Sequence, residues 1–368
     1  KYADIPAEIE YLGNINFEPQ PNDDDEYYVL DLKALEGISL NYGSEFTQIK
    51  TREDTYQYND VYIINKQSFH IYYAKGIEID GVAYYTNSED ESVHSYRGAY
   101  LVDKKEYANT LKEALEIVQK GDTIKVLKDV YEETPVEITR DVVIDTNGKT
   151  LTYKEGQTAI DIDQNVNVNI IGKGTIKSEV GNDYSFIRNK GILKVENTTI
   201  SSNNGGSING GTIRILDDGK LISNNSNINS INSVNGKSIE IDGGEYDYIV
   251  DNPSCSEVEI IVNNATIKRI GMRNVKLVLN TGVVESVEIW QEGLSIIMGD
   301  INKEVSQEDP RIEMINRATS NPIDIVITLN NGIIVKSDSK VAVDVTVNRK
   351  GYQAQETDDY GYILEPES

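Results

Sequence analysis

Few residues in this chain are of a type and spacing that could do chemistry. The run Asp161-Ile162-Asp163-Gln164-Asn165 has the D-x-D-x-N opening of a calcium loop, whose alternate oxygens converge on one hard cation. Val166 stands where such a loop needs glycine, and Gly172 where a bidentate Glu would close the shell, so the run reads as a solvated face. Asp23-Asp24-Asp25-Glu26 lacks further oxygens spaced to complete six or seven ligands and reads as an acidic loop. His70 and His94 have no Ser or Cys nucleophile in a recognisable motif and too few partners for a metal site, which leaves them structural. The glycine pairs at 205–206, 210–211 and 243–244 precede neither a helix nor a phosphate-loop lysine, so they are chain turns. Cys255 is the only cysteine, which excludes an internal disulfide and a zinc ribbon and leaves a small buried hydrophobe. Aromatic groups offer a binding chemistry instead. Tyr246 and Tyr248 share a strand face with Asp247 between them, and Trp290 is the one tryptophan; exposed, such rings stack on sugars. Tyr246 also falls on a repeating apolar position, which points it inward.

Composition narrows the partners. The chain has 368 residues and a formal net charge of −26, from Lys+Arg 35 against Asp+Glu 61. That field repels nucleic acid and anionic membrane surfaces, both of which need cations to replace their counterions. The length suggests more than one domain. Tyrosine outnumbers phenylalanine 23 to 4, which suits a β-rich surface protein whose rings keep a wet hydroxyl. No apolar run is long enough to span a membrane, and the chain opens on Lys1 without an initiator Met, so it reads as a mature product from which an N-terminal anchor has been removed.

The elements that must position these residues fall into two patterns. Residues 5–12, IPAEIEYL, have near-helical apolar spacing and read as a helix end stopped by Gly13-Asn14. Residues 60–86 read as a β-meander. Val61 and Ile63, then Phe69, Ile71 and Tyr73, alternate on one face, with turns at Lys66-Gln67-Ser68 and Asp80-Gly81. Asp-Gly supplies the positive φ angles of a tight hairpin between 76–79 and 82–86. A polar linker, 87–92, follows. Thr110 and Glu113 then form a capping box for a helix near 110–120 with Leu111, Ala114, Leu115 and Val118 on its apolar face and Gly121 at its end.

Beyond it one motif recurs: alternating apolar residues, an Asn/Asp/Gly turn, and another apolar residue. It appears in VVIDTNGKTL, VNIIGKGTI, LKVENTTI, IRILDDGKL, IEIDGGEY, EIIVNNATI and LVLNTGVV. The closing positions Leu151, Ile176, Ile200, Leu221, Tyr246 and Ile267 lie roughly one solenoid coil apart, with no helices between, which predicts a parallel β-helix. Asn263 and Asn264 are expected to hydrogen-bond along its turns, and the 110–120 helix to cover its first coil. The stretch 201–211 reads as an extruded loop, the segment INKEVSQEDPRIEMINRATSNP after Met298 as an insertion or cap, and the acidic end from Gln353 as partly frayed.

Two resemblances follow from these residues. The helix end, YYVLDLKALEGISLNYG and DVYIINKQSFHIYYAKGIEIDGVAYYT resemble the globular head of type IV pilin-like proteins of Gram-positive bacteria, over about the first quarter of the chain. In that family a hydrophobic N-terminal helix anchors the precursor and later packs in the filament core, while a small sheet covers its second half. The helix-then-coil opening resembles the pectin-lyase-like β-helices of bacterial surface proteins. The expected fold class is therefore mainly β: a small α+β pilin-like head with a truncated helix over 1–100, a right-handed parallel β-helix solenoid over 101–350, and an acidic tail over 351–368.

Many such β-helices cleave polysaccharides, so the residues need testing for that. A lyase needs a basic residue beside a uronate, usually with calcium, and a hydrolase needs carboxylates clustered on neighbouring coils. Arg188, Arg214, Arg269 and Arg273 qualify by type alone, and none sits in a catalytic motif. No catalytic, cofactor or metal residue is assigned, and the ligand-binding residues stay open. The expected function is a minor pilin-like subunit of a type IV pilus or related filament, not an enzyme. It would lie at the cell surface, displaying the β-helix for adhesion to a host or surface glycan or protein, with other pilin subunits as partners. The alternative is a secreted carbohydrate-active β-helix enzyme.

Overall fold

The computed structural model describes most of residues 98–301, the strands and their borders between 312 and 367, and strands between Glu10 and His94. The chain divides into two compact units, Lys1–Tyr100 and Leu101–Ser368.

In the first unit, Tyr27–Asp31, Asp60–Asn65, Ile71–Ile79, Val82–Thr86 and Val93–His94 form an antiparallel sheet in that order. Ile79 pairs with Val82. The strands Ile71–Ile79 and Val82–Thr86 thus pair antiparallel, while the turn expected at Asp80-Gly81 lies outside the described residues. The helix expected over 5–12 needs correction. Glu10 and Tyr11 are extended and pair antiparallel with Ser39 and Ile38. Strand pairing with the alternating segment Ile38–Tyr42 overrides the local helical spacing there; Ile5 to Ile9 and Leu12 lie outside the described residues. So do Asp23 to Glu26, the turn at 66–68, His70, the linker 87–92 and Cys255.

The second unit is a parallel β-solenoid, in which each coil runs through three strand positions and each strand pairs with its equivalent in the next coil. On the first face, Thr123–Val126 pairs with Val142–Asp145, then Asn167–Ile171, then Ile192–Glu196, and the ladder continues to Val341–Val347. Two apolar columns fill its inner side. Ile124, Ile144, Ile170, Val195, Ser223, Ile241, Val262, Leu279 and Met298 stack in register, as do Val142, Val168, Leu193, Leu221, Ile239, Ile260, Leu277, Ile296 and Ile327. Nearly all are fully buried, each worth about 1.5–3 kcal/mol of transfer free energy.

The second face corrects one rung of the predicted repeat. Its column is Val130, Leu151, Ile176, Ile200, Ile228, Tyr246, Ile267 and Val284. Ile228 takes the place expected for Leu221, which belongs to the first face. The segment Lys220–Ser233 is one 14-residue strand running through all three faces, and the corner between the two residues, at Asn225, lies inside a polar Ser/Asn run. The third face stacks Val136, Ile160, Ile187, Ile213, Ile231, Ile249, Ile270, Val287 and Met314. Ile312–Asn316, read as insertion, is thus a rung of this ladder; residues 302–311 lie outside the described set.

Corners between the first two faces use left-handed backbone: Asn147, Asn197, Asn225 and Asn264 have φ between 46 and 53 where described, and Gly244 and Gly282 have φ of 90 and 118. Asn tolerates this region, and Gly is required where backbones crowd. A Cβ on Gly244 would stand 1.9 Å from Ser226 O, and one on Gly282 2.3 Å from Ala265 O. Side chains satisfy these corners between coils. Asn280 Nδ2 donates to Asn263 Oδ1 (2.9 Å), Asn264 Nδ2 to Asp242 Oδ1 (2.9 Å), and Asn264 N to Thr281 Oγ1 (2.9 Å), as expected of Asn263 and Asn264. Register partners on the first face lie 20 residues apart in the first coil, 25 to 28 in the next three, 17 to 21 in those that follow and 31 between Ile296 and Ile327.

Both ends carry non-solenoid structure. The helix Leu111–Ile117 is capped by Thr110, whose hydroxyl accepts from Glu113 N, and it buries Leu111, Ala114 and Leu115 against Glu106–Ala108 and Thr123–Val126. It is shorter than the expected 110–120, because Val118 has already turned extended (ψ 147) and is fully buried. At the other end the supposedly frayed tail forms an antiparallel hairpin, Tyr352–Glu356 with Tyr362–Pro366, next to Val341–Val347.

Candidate functional site

Inward columns leave the intervening residues on the outer faces, and there the candidate residues separate. Asp161 lies on Ile160–Ile162 in register with Arg188, which is in register with Arg214. Asp161 Oδ2 is 3.1 Å from Arg188 Nη2, and its Oδ1 3.5 Å from Lys190 Nζ. Two cations therefore already occupy the oxygens that the D-x-D-x-N spacing offers to calcium. The strand ends at Ile162, and Asn165 turns left-handed (φ 64), so the three side chains do not continue one strand face. Among the described residues no three His, Cys, Asp or Glu side chains are grouped to hold a metal ion. His94 lies in the edge strand Val93–His94 of the first unit.

Tyr246 and Tyr248, expected on one face, lie on opposite sides of the wall. Tyr246 is in the inner column of the second face. Its hydroxyl is 2.7 Å from Ser223 Oγ and donates to Gly243 O at 3.2 Å, and burial pushes its pKa up to about 12. A corner at Asp247 breaks the alternation. Ile249 is next inward, so Tyr248 and Val250 point out.

Around Tyr248 the structure gathers three of the residues singled out above, Arg269, Arg273 and Trp290, and adds Asp251, Gly271, Glu288 and Arg317. Tyr248 pairs in register with Arg269, and Val250 with Gly271, which pairs with Glu288. Met272 pairs with Ile289 and Ile289 with Asn316, and the ladder bonds Trp290 N→Met272 O (2.8 Å) and Arg317 N→Ile289 O (2.7 Å) extend it. Arg273, Trp290 and Arg317 thus form a column at the end of the third face in three successive coils. The Arg273 guanidinium lies 4.8 Å from the Trp290 ring centroid, and that of Arg269 5.1 Å from the ring of Tyr248.

Glu288 sits beneath this patch, its side chain only 6% exposed although it lies on the outer face. Arg317 Nη2 donates to its Oε1 at 3.1 Å, Arg269 Nη1 lies 3.9 Å from the same oxygen, and Tyr248 donates to Oε2 at 3.5 Å. Burial first, then the charge of Glu288, raises the Tyr248 pKa to about 12, so its hydroxyl keeps its proton. Asp251 fixes the column from below: its Oδ1 accepts from Arg273 N (2.7 Å) and its Oδ2 from Asn274 N (2.5 Å). Burial raises the pKa of Asp251 against the pull of those two N–H groups. Gly271 leaves room for the rings, since a Cβ there would stand 2.9 Å from the Tyr248 hydroxyl and 3.5 Å from Trp290 Nε1. That Nε1 is buried without a hydrogen-bond partner, a donor whose isolation costs about 1–3 kcal/mol.

Beside this patch a groove of about 260 Å³ crosses neighbouring coils, lined among others by Asn227, Asn229, Glu245, Asp247, Lys268 and Glu285. Lys268 Nζ donates to Asp247 Oδ1 at 2.6 Å, and this bond, with the charges of Asp247, Glu285 and Glu245, raises the lysine pKa. A lysine held protonated is a poor base for abstracting a sugar proton. The groove is instead rich in amide, carboxylate and ammonium groups that exchange hydrogen bonds with hydroxyls. Sequence patterning missed Glu288 and Arg317. The signal for both is register: each lies one coil on from a partner already singled out.

These two features define a β-solenoid with one elaborated outer surface. No family model, no curated protein and no solved structure matches the chain.

Proposed function

We propose that this chain is a minor pilin-like subunit of a type IV pilus or related filament, displaying its solenoid outside the cell as a saccharide-binding surface. The observation that carries the binding reading is the groove from Asn227 to Glu285, whose amide, carboxylate and ammonium groups bond hydroxyls, with the half-buried Trp290 and its arginines in the patch beside it. A wall locked by its ladders loses little further entropy on binding an extended chain. The pilin part rests on the likeness of residues 1–100 to pilin-like heads and on the antiparallel meander there. Its partners would be other pilin subunits, met through the head and an anchoring helix.

Two experiments test this reading. Binding of the intact chain to a panel of neutral and acidic oligosaccharides should give saturable association with at least one class, and none across the panel would overturn the saccharide role. Isolated filaments should contain the protein at low abundance, and its absence from them would overturn the pilin role. A second reading has one observation in its favour: Glu245, Asp247 and Glu285 line one groove on neighbouring coils, as the carboxylates of a hydrolase do. Release of reducing ends from a bound oligosaccharide, abolished by Glu285→Gln, would establish that enzyme in place of the adhesin.

A further inference from the structure

We propose that the Tyr248–Trp290 patch is a subsite for a single carboxylate-bearing sugar at the end of a glycan chain, a conclusion that rests on the saccharide-binding reading above. Within the patch three arginines, Arg269, Arg273 and Arg317, face two carboxylates, Asp251 and Glu288. Asp251 is turned inward onto the N–H groups of Arg273 and Asn274, and Glu288 is buried under Tyr248. The accessible charge is therefore cationic, in a protein whose total is −26. Arg269 and Arg317 have side chains 55% and 47% exposed, and both converge on Glu288 Oε1, which places their guanidinium groups side by side. Arg317 uses one N–H on that oxygen, and Arg269 stands beyond hydrogen-bond distance from it. Their remaining N–H donors suit the flat, two-oxygen outline of a carboxylate. Half-exposed Trp290 gives the sugar ring an apolar neighbour, with the unpartnered Nε1 at its buried edge.

The whole-chain charge then decides how many carboxylates the ligand carries. At physiological salt a charge is screened within about 8 Å, so one carboxylate in the patch feels mainly the arginines. A polyanion continues from the patch over Glu313, Glu285 and the Lys268-paired Asp247, where the protein's carboxylates repel its further charges. A singly charged chain end fits both fields, and a sulfated or polyuronate chain fits only the first.

The chain's one tryptophan makes its fluorescence a reporter of this site. The probes are a neutral tetrasaccharide ending in glucuronic acid, the same chain ending in glucose, and a polyglucuronate. The acid-ended chain should change Trp290 emission saturably and bind about tenfold more tightly than the neutral one, the usual scale for a charge-assisted hydrogen bond. Arg269→Ala and Arg317→Ala should each remove most of that tenfold preference by weakening the acid-ended chain more than the neutral one; Lys194→Ala, on another face, should leave both intact. Lowering salt should strengthen the acid-ended chain and weaken the polymer. Equal affinity for acid-ended and neutral chains, or a preference surviving both arginine variants, overturns the subsite and leaves the saccharide reading standing. Binding of none of the three overturns both.

Discussion

The hydrogen-bonded pair inside the solenoid wall can be weighed quantitatively. Ser223 interrupts an otherwise apolar column between Val195 and Ile241, and it is tolerated because Tyr246, one coil on, reaches back to it. Tyr246 donates its one proton to Gly243 O, so the Ser223 hydroxyl must donate to Tyr246. Tyr246→Phe removes both bonds and strands the Ser223 hydroxyl, at a cost of about 2 kcal/mol; Ser223→Ala, which leaves the bond to Gly243, should cost about 1 kcal/mol. In the double variant no serine hydroxyl is stranded, so the cost should fall about 1 kcal/mol short of the sum. Urea unfolding of the four proteins measures this, provided the slopes agree, since a solenoid that unravels in stages would change them. Costs that add to within about 0.3 kcal/mol would refute the pairing.

Three further outcomes follow from the same geometry. Gly244→Ala should destabilise by more than about 2 kcal/mol, because a strained φ is added to a collision with Ser226 O, whereas Asn264→Gly, which relieves the left-handed φ but loses the exposed bonds to Asp242 and Thr281, should cost about 1 kcal/mol; thermal melts decide between them. Asp251 holds its proton to higher pH when folded than when unfolded, so its ionisation costs stability as pH rises through and above the ordinary carboxylate range. The stability of the native chain should accordingly fall relative to Asp251→Asn as pH rises from 4, and a parallel pair of pH profiles would contradict this. Calcium should leave the melting temperature unchanged, since Arg188 and Lys190 pair with Asp161, and a calcium-dependent rise lost in Asp161→Asn would restore the loop reading.

The solenoid is legible from the sequence because its inward positions are Ile, Val and Leu recurring with polar turns between them, and its corners carry Asn and Gly for a backbone reason. Leu221 is the wrong rung because the coil lengthens there: the register partner of Ile200 is Ile228, and the expected spacing falls short at Leu221. A 14-residue strand carries inward residues of all three faces, and its corner residue, Asn225, stands in the polar run Ser223-Asn224-Asn225-Ser226-Asn227, which does not single it out. The Tyr246 and Tyr248 pair misled for a related reason: alternation holds along one face and is reset at each corner. The patch was half legible. Arg269, Arg273 and Trp290 are conspicuous by type, but Glu288 lies between Val287 and Ile289 as an ordinary outward residue, and only the third dimension buries it. Glu10 and Tyr11 show pairing overriding a short helical pattern.

The unequal coils bear on how such a chain finds its own register. A stack of identical repeats can slip by one unit during folding and still satisfy most of its ladders, since any coil fits any neighbour. Here the register spacing on the first face is 20 residues, then 25 to 28, then 17 to 21 and then 31, so a coil slipped by one step meets a neighbour too long or too short for it. Varying circumference thus gives the early, middle and late parts of the stack separate addresses. Errors of docking are penalised by chain length itself, before any side chain has packed.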